Sequence, residues 1–375
     1  MTHTARILVA CLLLTASGLF AQTDSILHDG IQRDYILYTP SAADGSEDLP
    51  LVINMHGRGS NAFQQSAYGV MNPVADLNDF IVVYPDALSY GGTTQWNIFS
   101  GAADLGTDDR GFLLALIDSL DRDLAIDRDR IYTCGMSMGG YMSYRMICEF
   151  GDVFAAMASV TGVPLFSILD SCAAGGRQVP VLQMHGTADP TVPYNGVPGG
   201  QPGVDSTMTF FAQRNGCDAT PTTTDLPDTD PSDGLTARKS VWQNCADDGE
   251  LWLYRVDGGG HTWPGSPITA LGPTCQDFDG STEIWDFFRQ YTKDGRVLTD
   301  LRGPRVQMVD LHPNPTRGPV VLPEPMRGTD LRVIDRLGRE VLTLPAADRT
   351  ADLGALAPGW YVIRSDTHAA QVVRR

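Results

Sequence analysis

Ser137 has the sequence context that most clearly supports chemistry. It lies in the segment 135–140, Gly-Met-Ser-Met-Gly-Gly, and no other Gly-x-Ser-x-Gly pattern occurs in the 375 residues. A strand-like run precedes this segment and a helix-like run follows it. A serine on such a strand-to-helix turn is exposed at the edge of a sheet, and the glycines let neighbouring backbone pass closely. The pattern predicts a nucleophilic serine, with a merely structural tight turn as the alternative.

A serine hydroxyl needs a base that removes its proton and a carboxylate that orients the base. On this kind of turn the chain order is Ser, then Asp or Glu, then His. Four histidines lie downstream of the serine: His185, His261, His312 and His368. The last two belong to a C-terminal segment of different character, whereas His261 lies in the glycine-rich segment 258–265 after a strand-like run. We therefore predict His261 as the base.

Asp189 is the predicted orienting acid. It follows the apolar run 179–184 and stands just beyond the end of a predicted strand, where its carboxylate could reach Nδ1 of His261. The alternative role is an Asx turn in front of Pro190. His185, which precedes the acid, is predicted to be a packed histidine rather than a participant.

A serine that attacks an acyl group through a tetrahedral intermediate also needs two backbone N–H groups to stabilise the oxyanion. Met138, directly after the serine, supplies one by its position. The second is expected from the segment 56–61, His-Gly-Arg-Gly-Ser-Asn, which follows an apolar run. Within it, the N–H of either Arg58 or Gly59 is the expected donor, and His56 is expected to be structural.

Two tryptophans, Trp96 and Trp263, are candidates for lining a pocket for the acyl or leaving group, with ordinary packing as the alternative. The acidic segment 228–234 faintly resembles a calcium-binding loop, but it lacks a glutamate at its end, so we predict a solvated loop. The sequence contains no Cys/His spacing typical of a zinc site. We therefore expect neither a metal nor a cofactor.

Alternating strand-like and helix-like segments must position these residues. Near-continuous apolar runs at 51–56 and 80–84 are typical of strands buried on both faces. Further strands are predicted at 35–38, 130–134, 154–160, 179–185 and 251–256, and helices from 111, from 138, at 205–214 and at 282–290. This alternation predicts an α/β domain over residues 22–295, with a mostly parallel sheet covered on both faces.

The sequence pattern changes after this domain, from alternating strands and helices to short strand-like runs. Residues 296–305 are predicted to be a linker. Residues 306–375 contain short alternating runs separated by Pro/Gly turns, which is typical of a small all-β sandwich module. This module contains no cluster of residues suited to catalysis.

Residues 1–21 are predicted to be a secretory signal peptide. Arg6 precedes the apolar run 7–14, and small residues lead to Ala21; the run is too short to span a bilayer. A lipoprotein signal with Cys11 is the alternative. The formal net charge of -18 excludes a nucleic-acid binder that works through a basic face.

Seven cysteines are present, and six remain once Cys11 is removed with the leader. An even number in an exported chain favours disulfide bonds, although the sequence does not choose among the possible pairings. We expect Cys217 to pair with Cys245, closing an Asp- and Thr-rich segment, and Cys148 to pair with Cys172. The remaining two would form a third pair or stay as buried thiols: Cys134 and Cys275.

Four segments together resemble the polyhydroxybutyrate depolymerase and feruloyl esterase family of secreted α/β-hydrolases. They are His56-Gly57, the serine segment 135–140, the segment 185–194 (His-Gly-Thr-Ala-Asp-Pro-Thr-Val-Pro-Tyr) and the histidine segment 258–265. The resemblance covers about residues 25–292. It implies the α/β-hydrolase fold and a triad of Ser137, Asp189 and His261. Arg58 stands where relatives tend to carry Gly or Cys, and Met138 where Asn is usual, so acyl preference is the property that the resemblance specifies least.

The C-terminal module resembles a type IX secretion (Por) sorting domain. The resemblance rests on the segments 312–318, 333–338 and 356–361. It implies that residues 306–375 are recognised by the type IX secretion machinery and that the mature protein is extracellular or attached to the outer surface.

The sequence as a whole predicts a secreted serine esterase acting on feruloyl or acetyl esters of plant cell-wall polysaccharide. An extracellular polyhydroxybutyrate depolymerase is the second choice. A serine peptidase of the prolyl-oligopeptidase type would use the same triad, but it usually carries a propeller domain that this chain lacks. A non-catalytic surface-binding protein is a further alternative. The acidic composition makes an anionic polymer a less favourable partner.

Overall fold

A computed structural model describes residues 22–40, 43, 45–99, 104–297, 307–309, 311–335, 340–346, 349–365 and 368–375. The predicted signal peptide, and the predicted linker from residue 298 onward, lie outside these residues. None of the helices in the described part of the chain has the length and apolar character needed to cross a membrane.

A ten-stranded sheet forms the centre of the molecule, with strand order β1-β2-β4-β3-β7-β8-β9-β12-β11-β10. The strands up to residue 296 are β1 (Gln22–His28), β2 (Ile31–Tyr38), β3 (Leu49–Met55), β4 (Ile81–Pro85), β5 (Ser89–Tyr90), β6 (Thr93–Thr94), β7 (Ile126–Met136), β8 (Ala156–Val160), β9 (Val181–Gly186), β10 (Thr222–Asp225), β11 (Thr236–Trp242), β12 (Leu251–Asp257), β13 (Tyr291–Thr292) and β14 (Gly295–Arg296). Strands β4, β3, β7, β8, β9 and β12 pair in parallel. The outer pairings are antiparallel. This arrangement confirms the predicted mostly parallel sheet.

Seven α-helices connect the strands in the described residues, together with 3-10 turns at Ala246–Asp248 and Glu324–Met326. They are α1 (Ala62–Gly69), α2 (Asn72–Asn78), α3 (Asp109–Asp123), α4 (Met138–Glu149), α5 (Phe166–Ala173), α6 (Val204–Arg214) and α7 (Gly280–Phe288). Three helices begin at a side-chain cap that accepts a backbone N–H and so satisfies one of the free donors of the first turn: Asn61, Asp108 and Asp279.

The sheet is buried on both faces. Along β3, Leu51 and Ile53 pack into one hydrophobic cluster while Val52 packs into the other. The same alternation occurs in β4, where Val83 and Val82 face opposite sides. Because successive side chains of a strand point to opposite faces, a continuous apolar run is what a doubly covered strand requires.

Two disulfide bonds form in the described residues. They join Cys148 to Cys172, linking α4 to α5, and Cys217 to Cys245, which are the expected pairs. The two remaining thiols are separate and buried: Cys134 and Cys275. Of the two arrangements that the sequence left open, the structure therefore has two buried thiols.

The C-terminal residues form two further sheets around a hydrophobic cluster of their own, which includes Leu331, Val333 and Ile363. The strands are β15 (Gln307–Met308), β16 (Pro319–Val321), β17 (Leu331–Asp335), β18 (Glu340–Leu344), β19 (Thr350–Asp352), β20 (Gly359–Arg364) and β21 (His368–Arg374). Five pair in the order β15-β21-β20-β17-β18, and β16 pairs with β19. This confirms the predicted all-β module; residues 336–338 of the segment that resembles a sorting domain lie outside the described residues.

Asp76 is a buried carboxylate on α2 whose ionisation should lower stability. Its Oδ2 accepts a hydrogen bond from the Tyr38 hydroxyl at 2.5 Å, while its Oδ1 has no hydrogen-bond partner in the described structure. Burial raises the pKa of Asp76 to about 6, although the Tyr38 hydrogen bond opposes this shift. Since the folded state binds this proton more tightly than the unfolded chain, the free energy of unfolding falls as the pH rises from about 4 to about 6.

Asp76→Asn should therefore raise the free energy of unfolding by about 3 kcal/mol at pH 8 and change it little at pH 4. Urea unfolding at the two pH values measures this difference. Asp170→Asn, at an exposed carboxylate on α5, is the matched control and should show no such pH dependence. An equal gain at both pH values would contradict the assignment of the effect to Asp76 ionisation.

Candidate active site

Ser137 lies on a strained turn between β7 and α4. Its φ of 54° is in the left-handed region, which is unusual for a residue other than glycine. The turn is held by a hydrogen bond from the Ser137 N–H to the Val160 carbonyl at 2.8 Å. Helix α4 begins at Met138, so its unpaired first N–H groups lie next to the serine and favour negative charge there.

Glycines let this turn pack against the end of β3. A Cβ on Gly139 would lie 2.1 Å from the Met55 carbonyl oxygen, and a Cβ on Gly135 would lie 2.5 Å from the same atom. Both distances are shorter than any real contact of a Cβ, so only glycine fits at either position. The glycines of the serine segment thus allow strand β3 and the turn to meet.

Asp189 and His261 are joined directly. The Nδ1–H of His261 donates to Oδ2 of Asp189 at 2.7 Å. Asp189 lies in the turn after β9 and His261 in the loop after β12. These strands and β7 run in parallel, so Ser137, Asp189 and His261 all follow strand ends at the carboxyl edge of one sheet. The bond to Asp189 leaves His261 Nε2 as the ring nitrogen able to accept a proton.

The turn of Asp189 and the loop of His261 are held together by their backbones. The Thr187 N–H donates to the Val256 carbonyl at 2.9 Å, and the Ala188 N–H donates to the Gly259 carbonyl at 3.0 Å. A Cβ on Gly186 would lie 2.2 Å from the Gly259 carbonyl oxygen, so the two segments are in contact only because this residue is glycine. This backbone contact positions the acid against the base.

Asp189 is surrounded by donors. Its Oδ1 accepts the N–H groups of Thr191 and Val192, both at 2.8 Å. Its Oδ2 lies 2.7 Å from His261 Nδ1 and 3.4 Å from His185 Nε2. Burial by itself raises the pKa of Asp189, but the donors at His185 and His261, the charge of His261 and the Val192 N–H together lower it well below its usual value. The carboxylate is therefore ionised at neutral pH.

His185 is a packed histidine, as predicted, but it also contacts the acid. Gln183 donates from Nε2 to His185 Nδ1 at 3.1 Å, and His185 Nε2 donates to the Val192 carbonyl at 2.8 Å. That second nitrogen is the one beside Asp189 Oδ2. Sequence reasoning missed this contact; the four-residue separation of His185 and Asp189 around a turn was the signal available.

The loop after β3 lies against Ser137. A Cβ on Gly57 would lie 3.2 Å from the serine Cβ and 3.8 Å from its Oγ. Gly59, one of the two expected oxyanion donors, instead donates its N–H to the Thr94 carbonyl at 2.8 Å. Its assignment as a donor was therefore wrong, because that N–H is already used to anchor the loop to β6. Within this loop, Arg58 remains the candidate donor. The other candidate donor, Met138, lies at the start of α4.

His56 has the structural role expected of it. Its Nδ1 donates to the Gly57 carbonyl at 2.7 Å and its Nε2 accepts the Ala87 N–H at 3.0 Å. Burial lowers the pKa of His56, which favours this neutral form. The ring thus holds the loop in shape.

Trp96 and Trp263 are buried in the core, which contradicts the prediction that they could line a substrate pocket. Their exposed fractions are 0% and 1%. Trp96 donates its indole N–H to the His56 carbonyl at 2.9 Å and packs in one core cluster, while Trp263 packs in the other. Their rings fill the interior behind the loops that carry the site.

In the described part of the chain, one group of side chains has the spacing of metal ligands: His28, Asp29 and Asp108. It lies at the end of β1, which three strands separate from β7 in the sheet. Asp108 already caps α3 through the Gly111 N–H. This group takes no part in the arrangement around Ser137.

Comparison with known proteins agrees with this geometry. The family model described as esterase PHB depolymerase matches residues 33–201, which include Arg58, Ser137 and Asp189. A protein of Nocardia uniformis subsp. tsuyamanensis, named "Putative esterase NocK", is 31% identical over 286 residues, covering 69% of this chain and 79% of its own length. The chain belongs to the esterase PHB depolymerase family. It is a carboxylic ester hydrolase.

A second relative of this esterase is feruloyl esterase B of Piromyces equi. It is 29% identical over 274 residues, and the match covers 69% of this chain but 45% of the fungal protein. Among solved structures, the acetyl xylan esterase from Aspergillus awamori superposes with a TM-score of 0.53 at 14% identity, covering 72% of this chain and 99% of that one. This structural similarity concerns the α/β-hydrolase fold.

Proposed function

We propose that this esterase is a secreted serine hydrolase that uses Ser137, His261 and Asp189 to cleave carboxylic esters through an acyl-enzyme. The observation that carries the proposal is the 2.7 Å hydrogen bond between His261 and Asp189 at the sheet edge where Ser137 occupies its strained turn. The bond fixes His261 with Nδ1 protonated. Only in that tautomer can Nε2 accept the serine proton.

The reaction proceeds in two halves. Ser137 Oγ attacks the ester carbonyl while His261 Nε2 takes its proton, and the imidazolium then protonates the leaving alcohol as the ester bond breaks. Water, deprotonated by the same nitrogen, then attacks the acyl-enzyme, and the imidazolium returns this proton to Ser137 Oγ as the bond to the acyl group breaks and the acid leaves. Asp189 stays ionised throughout and stabilises the imidazolium, in keeping with its lowered pKa.

The oxyanion formed in each half would be stabilised by backbone donors. The Met138 N–H lies at the first turn of α4, and the Arg58 N–H lies in the loop that Gly57 brings against the serine. Such preorganised donors stabilise charge that develops only in the transition state, so they lower the barrier without tightening ground-state binding.

Feruloyl or acetyl esters of plant cell-wall polysaccharide are the proposed substrates. The similarity to the Piromyces equi feruloyl esterase supports an aromatic acyl group. A polyhydroxyalkanoate polyester is the second candidate, favoured by the family model that the chain matches.

Four esters separate these candidates: methyl ferulate, p-nitrophenyl acetate, acetylated xylan and amorphous polyhydroxybutyrate. We expect hydrolysis of methyl ferulate or acetylated xylan by the purified chain, abolished by prior treatment with a fluorophosphonate, which phosphonylates an activated serine. Clearing of the polyester alone would replace the cell-wall assignment with a depolymerase. Turnover that survives the fluorophosphonate would contradict the serine mechanism.

Export is part of the proposal. Two disulfide bonds favour an oxidising compartment, and the predicted leader 1–21 supports passage out of the cytoplasm. We propose that the all-β module is the sorting domain that the type IX machinery recognises. The intact mass of the exported protein tests the removal of both segments.

A further inference from the structure

Arg58 carries a cationic side chain and directly follows Gly57, the glycine that lies against the proposed nucleophile. Its side chain is exposed, and its Nε donates to Oε1 of Gln95 at 3.2 Å. No ion pair of the described residues includes Arg58. Three other arginines of the domain that reach solvent each have a carboxylate at 2.8 Å: Arg128, Arg238 and Arg255.

A neutral side chain, and not a carboxylate, holds the Arg58 guanidinium. The chain has 45 acidic residues against 27 Lys and Arg, yet none of the carboxylates in the described residues forms an ion pair with Arg58. At Arg58 the partner is instead the neutral amide of Gln95, a residue that is 8% exposed. The guanidinium is thus held in place, and no carboxylate of the described residues neutralises its charge.

The neighbouring hairpin holds this part of the loop. The Thr94 hydroxyl donates to the Ser60 carbonyl at 2.6 Å, and the Gly59 N–H donates to the Thr94 carbonyl at 2.8 Å. Gln95 directly follows that hairpin, so the group that binds Nε is anchored to the same loop that carries Arg58. The bond to Gln95 uses one edge of the guanidinium and leaves the two Nη groups, which match the geometry of a carboxylate.

We propose that Arg58 forms an anion subsite next to Ser137, and that it recognises a carboxylate carried by the ester substrate. The ligand class is a half-ester: a molecule with one ester carbonyl for Ser137 and one free carboxylate a few bonds away. The inference rests on the proposed function, because it places Arg58 beside the reacting carbonyl. The net charge of -18 repels polyanions, so the subsite suits a small substrate with a single negative charge.

The test compares monoethyl glutarate with ethyl glutaramate, in which a neutral amide replaces the carboxylate. The measured quantity is the ratio of their kcat/KM values for the full chain, followed by release of ethanol at fixed ionic strength. In Arg58→Gln the ratio should fall about 10-fold, since the variant loses a charge-assisted hydrogen bond. In Arg58→Lys this ratio should fall less than in Arg58→Gln. Since the ratio compares two substrates of the same variant, a loss of turnover that affects both substrates equally does not change it.

Two further variants complete the design. Gln95→Glu places a carboxylate on the Nε of Arg58 and should also lower the ratio while leaving Arg58 in place. Arg122→Gln removes another exposed arginine that has no ion pair in the described part of the chain. Arg122 lies near the end of α3 and donates to the Ser119 hydroxyl at 3.1 Å, and its loss should leave the ratio unchanged. A ratio that is the same in Arg58→Gln, Gln95→Glu and the parent would overturn the anion subsite while the esterase proposal stands. Failure of the parent to hydrolyse even ethyl glutaramate and methyl ferulate would overturn both.

Discussion

Ser137→Ala should lower kcat for ester hydrolysis by about 10⁶-fold, which is the size of effect seen when a triad serine is removed. The alanine keeps the Cβ and the strained backbone of the turn, whose φ is 54°. It removes only Oγ, the atom that forms the acyl-enzyme. Turnover of methyl ferulate measured against the parent gives the factor, and thermal unfolding checks that the fold is retained.

The matched control is Ser60→Ala. Ser60 lies in the loop after β3, close to the proposed oxyanion donor, and its hydroxyl donates to Gln64 Oε1 at 2.9 Å on the surface. Its loss should change kcat by no more than a few-fold. If Ser137→Ala kept a turnover within 100-fold of the parent, or still reacted with a fluorophosphonate, another residue would have to be the nucleophile.

Asp189→Asn should lower kcat by about 10⁴-fold, as expected when the base of a triad adopts the wrong tautomer. The reason lies in the four donors around the carboxylate. If the Asn amide nitrogen faces the histidines, His261 must present an unprotonated Nδ1, and its Nε2 then carries a proton and accepts none. If the amide nitrogen instead faces Thr191 and Val192, it lies against two backbone N–H donors and can accept a hydrogen bond from neither.

The same substitution should also destabilise the fold in a pH-dependent manner. The pKa of Asp189 is lower in the folded protein than its ordinary value near 3.9, so the ionised carboxylate contributes stability above about pH 4 that is lost as the pH falls further. The difference in free energy of unfolding between the parent and Asp189→Asn should therefore be constant near neutral pH and shrink in acid. Urea unfolding at pH 7 and pH 3 measures it.

Asp170→Asn serves as the control for both effects, because Asp170 is an exposed carboxylate on α5. It should leave kcat and the pH dependence of stability unchanged. Nearly full activity of Asp189→Asn would mean that another group orients His261.

The arrangement of the sheet was within reach of sequence reasoning. Uninterrupted apolar runs such as 51–56 and 80–84 suit strands covered on both faces, and they correspond to β3 and β4. Other elements carried weaker signals: β10 is exposed and polar, and the helices α1 and α2 are only 8 and 7 residues long. Such elements form because a neighbouring strand or the core supplies their contacts, which a local pattern does not record.

Residue order alone led to Ser137, Asp189 and His261 as one candidate set, because each follows a strand and parallel strands end at one edge of a sheet. Contacts between segments that are far apart in the sequence determined which loop N–H is free and which rings are buried. The Thr94 carbonyl takes the Gly59 N–H and leaves Arg58 as the loop's candidate donor, and the core covers Trp96 completely. A spacing pattern specifies which backbone turns are possible, whereas the partner of each N–H and the burial of each ring depend on segments far away in the chain, so only the tertiary structure determines them.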